Sequence, residues 1–266
     1  MPELQDAASR RTVGVRDIPL VILAPRRLFA RVEDVTAWGW PLIILLTFVT
    51  LIGYATVQTG LIDREVDRRV RQRIARIDET QRDIVERSAL RELYGREFKK
   101  GKFEKLLTRI QVVVAEPVNA IAGALLIAAA CYGIVAMTGR KPEWHTLLTI
   151  CVYAGFIDAL RLLLQLILML QYETLEIYTS LAPLTRLLVD IQEAEPAIVV
   201  STWGALAALD PFRIWYWLVV LKGLGVTSQL RGWRAWVICL LCWLLGVAGR
   251  TGLLAAMTIN MTAPGG

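Results

Sequence analysis

The chain has 266 residues, 55% of them hydrophobic, with a mean hydropathy of +0.48 and a formal net charge of +6. An ordinary water-solvated domain carries about 45–50% apolar residues, so composition excludes a protein whose whole solvent is water. The positive charge lies beside long apolar runs, where Lys and Arg meet anionic headgroups, and no nucleic-acid-binding module accompanies it.

The N-terminal stretch Met1–Asp17 is polar and has no apolar h-region, so the first apolar run is expected to insert as a signal anchor. From Pro25 to Val35, Leu28, Phe29, Val32 and Val35 recur at helical spacing between Arg26, Arg27, Arg31, Glu33 and Asp34. That pattern predicts a short amphipathic helix. It would lie in the membrane interface or pack on the spans from the water side.

Five apolar runs follow: Trp38–Val57, Val112–Met137, Leu147–Gln171, Phe212–Val226 and Ala235–Ile259. A hydrocarbon core of about 30 Å needs about 20 helical residues to cross, and a backbone in lipid must bond within its own segment. The runs predict an all-α polytopic membrane helix bundle: five transmembrane helices, interfacial helices and one long charged extramembrane helix. In domain terms, 1–37 is a cytoplasmic segment with the interfacial helix and 38–57 the first span. A charged extracytoplasmic helical insertion occupies 58–111, and 112–266 is a four-span bundle.

Residues 58–111 hold fifteen Lys and Arg, ten Asp and Glu, and no Pro. Ile62, Val66, Val70, Ile74 and Ile77 make a narrow apolar stripe among them, which Ile84 resumes. One helix from Leu61 to Leu93, on the order of 50 Å long at 1.5 Å per residue, fits this pattern. The stripe is too thin for a core helix and suits a coiled-coil-like contact with another protein or a second copy. The alternative is a solvated helix held by i,i+4 ion pairs such as Glu65–Arg69.

Glu116-Pro117, Glu195-Pro196 and Asp210-Pro211 each precede an apolar run. An acid favours the positive end of a helix dipole and Pro suits the first helical position, so the three pairs are expected to start helices. The lone histidine, His145, sits beside Trp144 at a membrane edge. Asp158 and Arg161 lie three residues apart inside the third span, on one face, where they can pair. Charges at that depth are costly and point toward partners or water; this pair is either a functional spot or a neutralised packing device. Arg250 lies within the fifth span, paired in the bundle or snorkelling. Ala197–Leu209 is apolar but short, and is expected to be interfacial or re-entrant; a full crossing would raise the count to six. Cys131, Cys151, Cys239 and Cys242 all lie in apolar runs. The C-x-x-C pair has no second pair or nearby His, so packing residues are expected rather than a metal site. No cofactor is implied.

Arg10, Arg11, Arg16, Arg26, Arg27 and Arg31 precede the first span, whereas Thr262–Gly266 has no basic residue. With five spans, the positive-inside rule places the N-terminus in the cytoplasm and the C-terminus outside the plasma (inner) membrane. The basic insertion would then lie outside, as long loops can.

Asp210-Pro211-Phe212-Arg213-Ile214-Trp215, the run Leu218–Gly225 and the basic turn Arg231-Gly232-Trp233-Arg234 ahead of a last apolar run resemble the closing spans of the Yip family (Ypt-interacting-protein type), particularly its bacterial members. Leu23-Ala24-Pro25-Arg26-Arg27-Leu28-Phe29, followed by Trp40-Pro41-Leu42, is similar to the same family's approach to its first span. The resemblance implies a non-catalytic membrane interaction protein. Some bacterial relatives accompany ABC-type export systems, so an accessory subunit of such a complex is the expected role. A small transporter or channel subunit, with Asp158, Arg161 and Arg250 lining a polar path, is the alternative; against it, the chain shows no internal repeat. A membrane enzyme is disfavoured by the lack of H-E-x-x-H, G-x-S-x-G and P-loop motifs.

Overall fold

A computed structural model describes residues 15–32, 38–81, 87–175, 177, 179–185, 196–207, 209–227, 232–233, 235–244 and 246–248. All regular structure among them is helical. The helices are α1 (Ile18–Leu23), α2 (Pro25–Val32), α3 (Gly39–Gln58), α4 (Leu61–Gln81), α5 (Arg87–Ile110), α6 (Glu116–Met137), α7 (Trp144–Tyr172), α8 (Pro196–Ala207) and α9 (Pro211–Val226). A further apolar helix, α10, covers Ala235–Ala248. The chain divides into two compact units: residues 1–45, 121–161 and 178–266, and residues 46–120 and 162–177.

The first unit is built around residues 147–157 of α7, which are apolar apart from Thr149, whose buried hydroxyl donates to the His145 carbonyl at 2.7 Å. Leu147, Ile150, Cys151, Val152, Tyr153, Ala154 and Ile157 are all buried. Two glycines let neighbours approach. A methyl on Gly155 would sit 2.8 Å from Leu45 Cδ2, and one on Gly223 of α9 would sit 2.6 Å from Ile150 Cγ2. The Trp40 ring meets Tyr153 edge-on, with centroids 6.2 Å apart. Helix α2 packs on α9, burying Leu28, Phe29 and Val32 while Arg26, Arg27 and Arg31 stay exposed. Of the two placements open for this amphipathic helix, its apolar face takes protein cover; Val35 lies outside the described residues.

In the second unit, Thr59-Gly60 turns α3 into α4, with Gly60 at φ +70, a conformation open to glycine. The single helix expected over Leu61–Leu93 is instead two helices, α4 and α5, lying antiparallel. Asp63 pairs with Arg109, Asp67 with Lys105 at 2.8 Å, Arg73 with Glu104 at 2.6 Å, and Tyr94 donates to Asp78 at 2.8 Å. Ile62, Val66 and Val70 form a buried cluster, against which Val57, Ile74, Val112 and Leu175 pack. Gly101 admits Val70: a methyl there would stand 2.6 Å from Val70 Cγ2. The stripe Ile62, Val66, Val70, Ile74, with half-buried Ile77 beyond it, is therefore not bare for another protein; the chain covers it. The covering seam of α5 (Leu90, Tyr94, Glu97, Gly101, Glu104, Thr108) has helical spacing but is glycine- and acid-rich, so apolar periodicity does not reveal it. The Glu65–Arg69 pair forms at 3.0 Å.

Glu116-Pro117 opens the α-helical segment α6, as expected, but not at a free helix end. A single helix runs from Arg87 to Met137, with a π-helical stretch at Gln111–Ala115. Proline has no N–H to donate, and its ring crowds the carbonyl four residues back, here Val113. A wider π turn just ahead relieves that crowding without breaking the helix. Pro196 and Pro211 open α8 and α9, while Glu195 lies outside the described residues.

Among the described residues, three helices are long and apolar enough to cross a membrane rather than five: Gly39–Gln58, Arg87–Met137 and Trp144–Tyr172. Helix α9 has 16 residues, about 24 Å at 1.5 Å each, short of the hydrocarbon thickness. The fifth apolar run is described only through Ala248. Helix α8, with 12 residues, is also too short to span, as expected of Ala197–Leu209.

Candidate functional site

The polar residues that need most explanation lie in the first unit, where α7 meets the start of α9. Asp210 caps α9: its Oδ1 accepts the Phe212 N–H at 2.8 Å, which satisfies one orphan donor of the first turn. Its Oδ2 accepts from the Thr179 hydroxyl at 2.6 Å, and Arg161 Nη1 of α7 lies 3.8 Å from that same oxygen. One turn into α9, Arg213 Nη1 reaches back to Asp158 Oδ2 at 3.3 Å. Within α7, Arg161 Nε and Asp158 Oδ1 are 3.7 Å apart. Two acids and two bases thus form a crossed set in which each helix supplies one of each sign to the other.

The set is sheltered. Only 3% of the Asp210 side chain is exposed, and about a quarter of each other member: 27% for Asp158, 25% for Arg161 and 22% for Arg213. Unit charges near 4 Å attract by about 4 kcal/mol at a protein-like dielectric, and loss of water offsets most of that gain. The asymmetry matters more: removing one partner strands the other, at a cost of about 3–5 kcal/mol for a buried pair. Asp158 Oδ1 and Arg161 Nε are buried without a hydrogen bond, and both contacts of Arg161, at 3.7 and 3.8 Å, are looser than the 3.3 Å Arg213–Asp158 bond. The Arg213 guanidinium also stands 6.0 Å from the Tyr216 ring centroid, the outer reach of a cation–π contact.

The sequence had singled out Asp158 and Arg161 as a pair, and the structure brings them together. It adds Asp210 and Arg213, which sequence reasoning had treated as a helix start and a piece of a motif. Their signal was present in Asp210-Pro211-Phe212-Arg213, but nothing local ties that motif to a helix some fifty residues earlier. Arg250 lies outside the described residues. The stripe residues Ile62 to Ile77 belong to the hairpin of the second unit and take no part in this set. Cys131, Cys151, Cys239 and Cys242 are buried free thiols.

Chemically, the crossed set can hold α7 and α9 in one register. A family model, the Yip1 domain, matches residues 20–251, a span that contains every member of the set. No curated protein matches the chain, and no solved structure does.

Proposed function

This chain belongs to the Yip1 domain family, and from that premise we propose that it is a non-catalytic integral membrane protein that works by association, as an accessory component of a larger membrane assembly. The observation that carries the reading is the crossed Asp158–Arg213 and Arg161–Asp210 set. Its charges are matched two against two and engaged in joining helices, which suits a scaffold better than a polar conduction path. The N-terminal arginines face the cytoplasm in this reading, and the C-terminus lies outside the inner membrane. The α4–α5 hairpin offers the docking arm, through its exposed charged sides rather than its buried stripe. An ABC-type export complex is the partner class that the family resemblance suggests.

Site-specific photo-crosslinking from the exposed positions Arg76 and Arg91, in intact membranes, tests this. A discrete adduct containing a subunit of an export complex is expected. Its absence from both positions, in a chain that still folds, would remove the hairpin as the docking element. Ion or solute flux in liposomes that disappears in Asp158→Asn would favour a transporter instead.

A further inference from the structure

The outer face of α5 is apolar where a helix in water would be polar. The seam toward α4 runs through Glu97, Gly101, Glu104 and Thr108. At 100° per residue, Lys99, Phe103, Leu106 and Ile110 fall on the opposite side. That side is bare: Phe103 is 61% exposed, Leu106 54%, Leu107 49% and Ile110 49%. Lys99 and Lys102 border it at the end nearer the hairpin tip and are exposed. The row continues without a break into exposed Val114 and Val118 of the same helix.

Length places this face. Residues 112–137 alone extend about 39 Å at 1.5 Å per residue, enough to fill a hydrocarbon core of about 30 Å with some tilt. Phe103–Ile110, two turns further on, therefore comes at the headgroup layer. A helix leaving a membrane should lose its apolar cover and gain lysines in that order, because alkyl stems stay with lipid while ammonium groups reach water.

We infer that residues 99–110 form a seat on an anionic lipid surface: Phe103, Leu106, Leu107 and Ile110 enter the boundary between headgroups and acyl chains, and Lys99 and Lys102 bind lipid phosphates. The base of the hairpin is thus fixed to the bilayer, and only its outer part projects into water. The inference rests on residues 112–137 spanning the membrane, and is independent of which protein the hairpin meets. Lipid is favoured over a protein cover because the face is continuous with the flank of the span and carries Lys99 and Lys102 at its far end, while Arg109 at its near end is engaged by Asp63.

Spin labels test this in the full chain, reconstituted into nanodiscs of phosphatidylcholine with or without phosphatidylglycerol. Labels go on Phe103→Cys, Ile110→Cys and, as a water reference, Arg91→Cys; the parent chain taken through the same labelling corrects for the buried native thiols. At Phe103→Cys and Ile110→Cys, collision with oxygen should exceed collision with a water-soluble nickel chelate several-fold, with the ratio reversed at Arg91→Cys. Nickel access at Phe103→Cys equal to that at Arg91→Cys would overturn the seat, as would shielding from both reagents, which marks a protein cover. Adding Lys99→Glu and Lys102→Glu should lower the oxygen-to-nickel ratio at Phe103→Cys severalfold in discs containing phosphatidylglycerol and leave it unchanged in pure phosphatidylcholine. An equal ratio in both discs would refute the anionic part.

Discussion

Arg213 Nη1 reaches Asp158 Oδ2 at 3.3 Å across 55 residues of sequence, joining the helix that opens at Asp-Pro to the apolar helix at the centre of its unit. Because each charge in the set is sheltered by its opposite, single and double substitutions should differ. Asp158→Asn or Arg213→Gln alone should lower stability in detergent by about 2–4 kcal/mol. The double variant should lose clearly less than the sum of the two. A double-mutant cycle from thermal unfolding measures this, and strict additivity would show that the two side chains do not interact.

Gly53 and Gly123 make a matched comparison. A methyl on Gly53 would stand 2.6 Å from the Val112 carbonyl oxygen, in the π stretch, whereas one on Gly123 meets nothing within 4 Å. Gly53→Ala forces backbone to move, so a loss of about 1–3 kcal/mol is expected. Gly123→Ala should be neutral or stabilising by about 0.5–1 kcal/mol, since alanine is the better helix former. Similar effects for the two would mean that α3 and the π stretch are not in close contact.

The hairpin should respond to bulk at one position. Gly101→Leu places a side chain where Val70 already sits, so α4 and α5 should separate, and protease cleavage within 61–110 should quicken. Gly101→Ala combined with Val70→Ala should behave more nearly like the parent, because the second change removes the methyl group that the first would strike. If Gly101→Leu leaves cleavage unchanged, the two helices are not packed at this point.

The ion pairs along the hairpin are a weaker lever. Lys105→Ala removes the partner of Asp67, half-exposed at 49%, and should cost no more than about 0.5–1 kcal/mol, with a dependence on salt. Hydrogen exchange of the α4 amides reads the change, and a loss of several kcal/mol there would show that this pair is far better shielded from water than its exposure implies.

By itself, the sequence determined that this protein is helical and made for lipid, because long apolar runs have no other stable conformation there. It also determined the Asp158–Arg161 pair, since i,i+3 spacing is a local fact, and the helix starts at Pro196 and Pro211. Tertiary structure decided what those local signals could not contain. Glu116-Pro117 reads as a helix start, yet a π turn lets Arg87–Met137 run straight through it. The stripe Ile62–Val70 reads as a surface awaiting a partner, yet it is closed by a seam whose glycine and carboxylates carry no apolar period. Asp210 and Arg213 become partners of α7 only because the chain returns there. Periodicity reports what a segment prefers as its environment; which segment supplies that environment is settled by contacts between residues far apart in the chain.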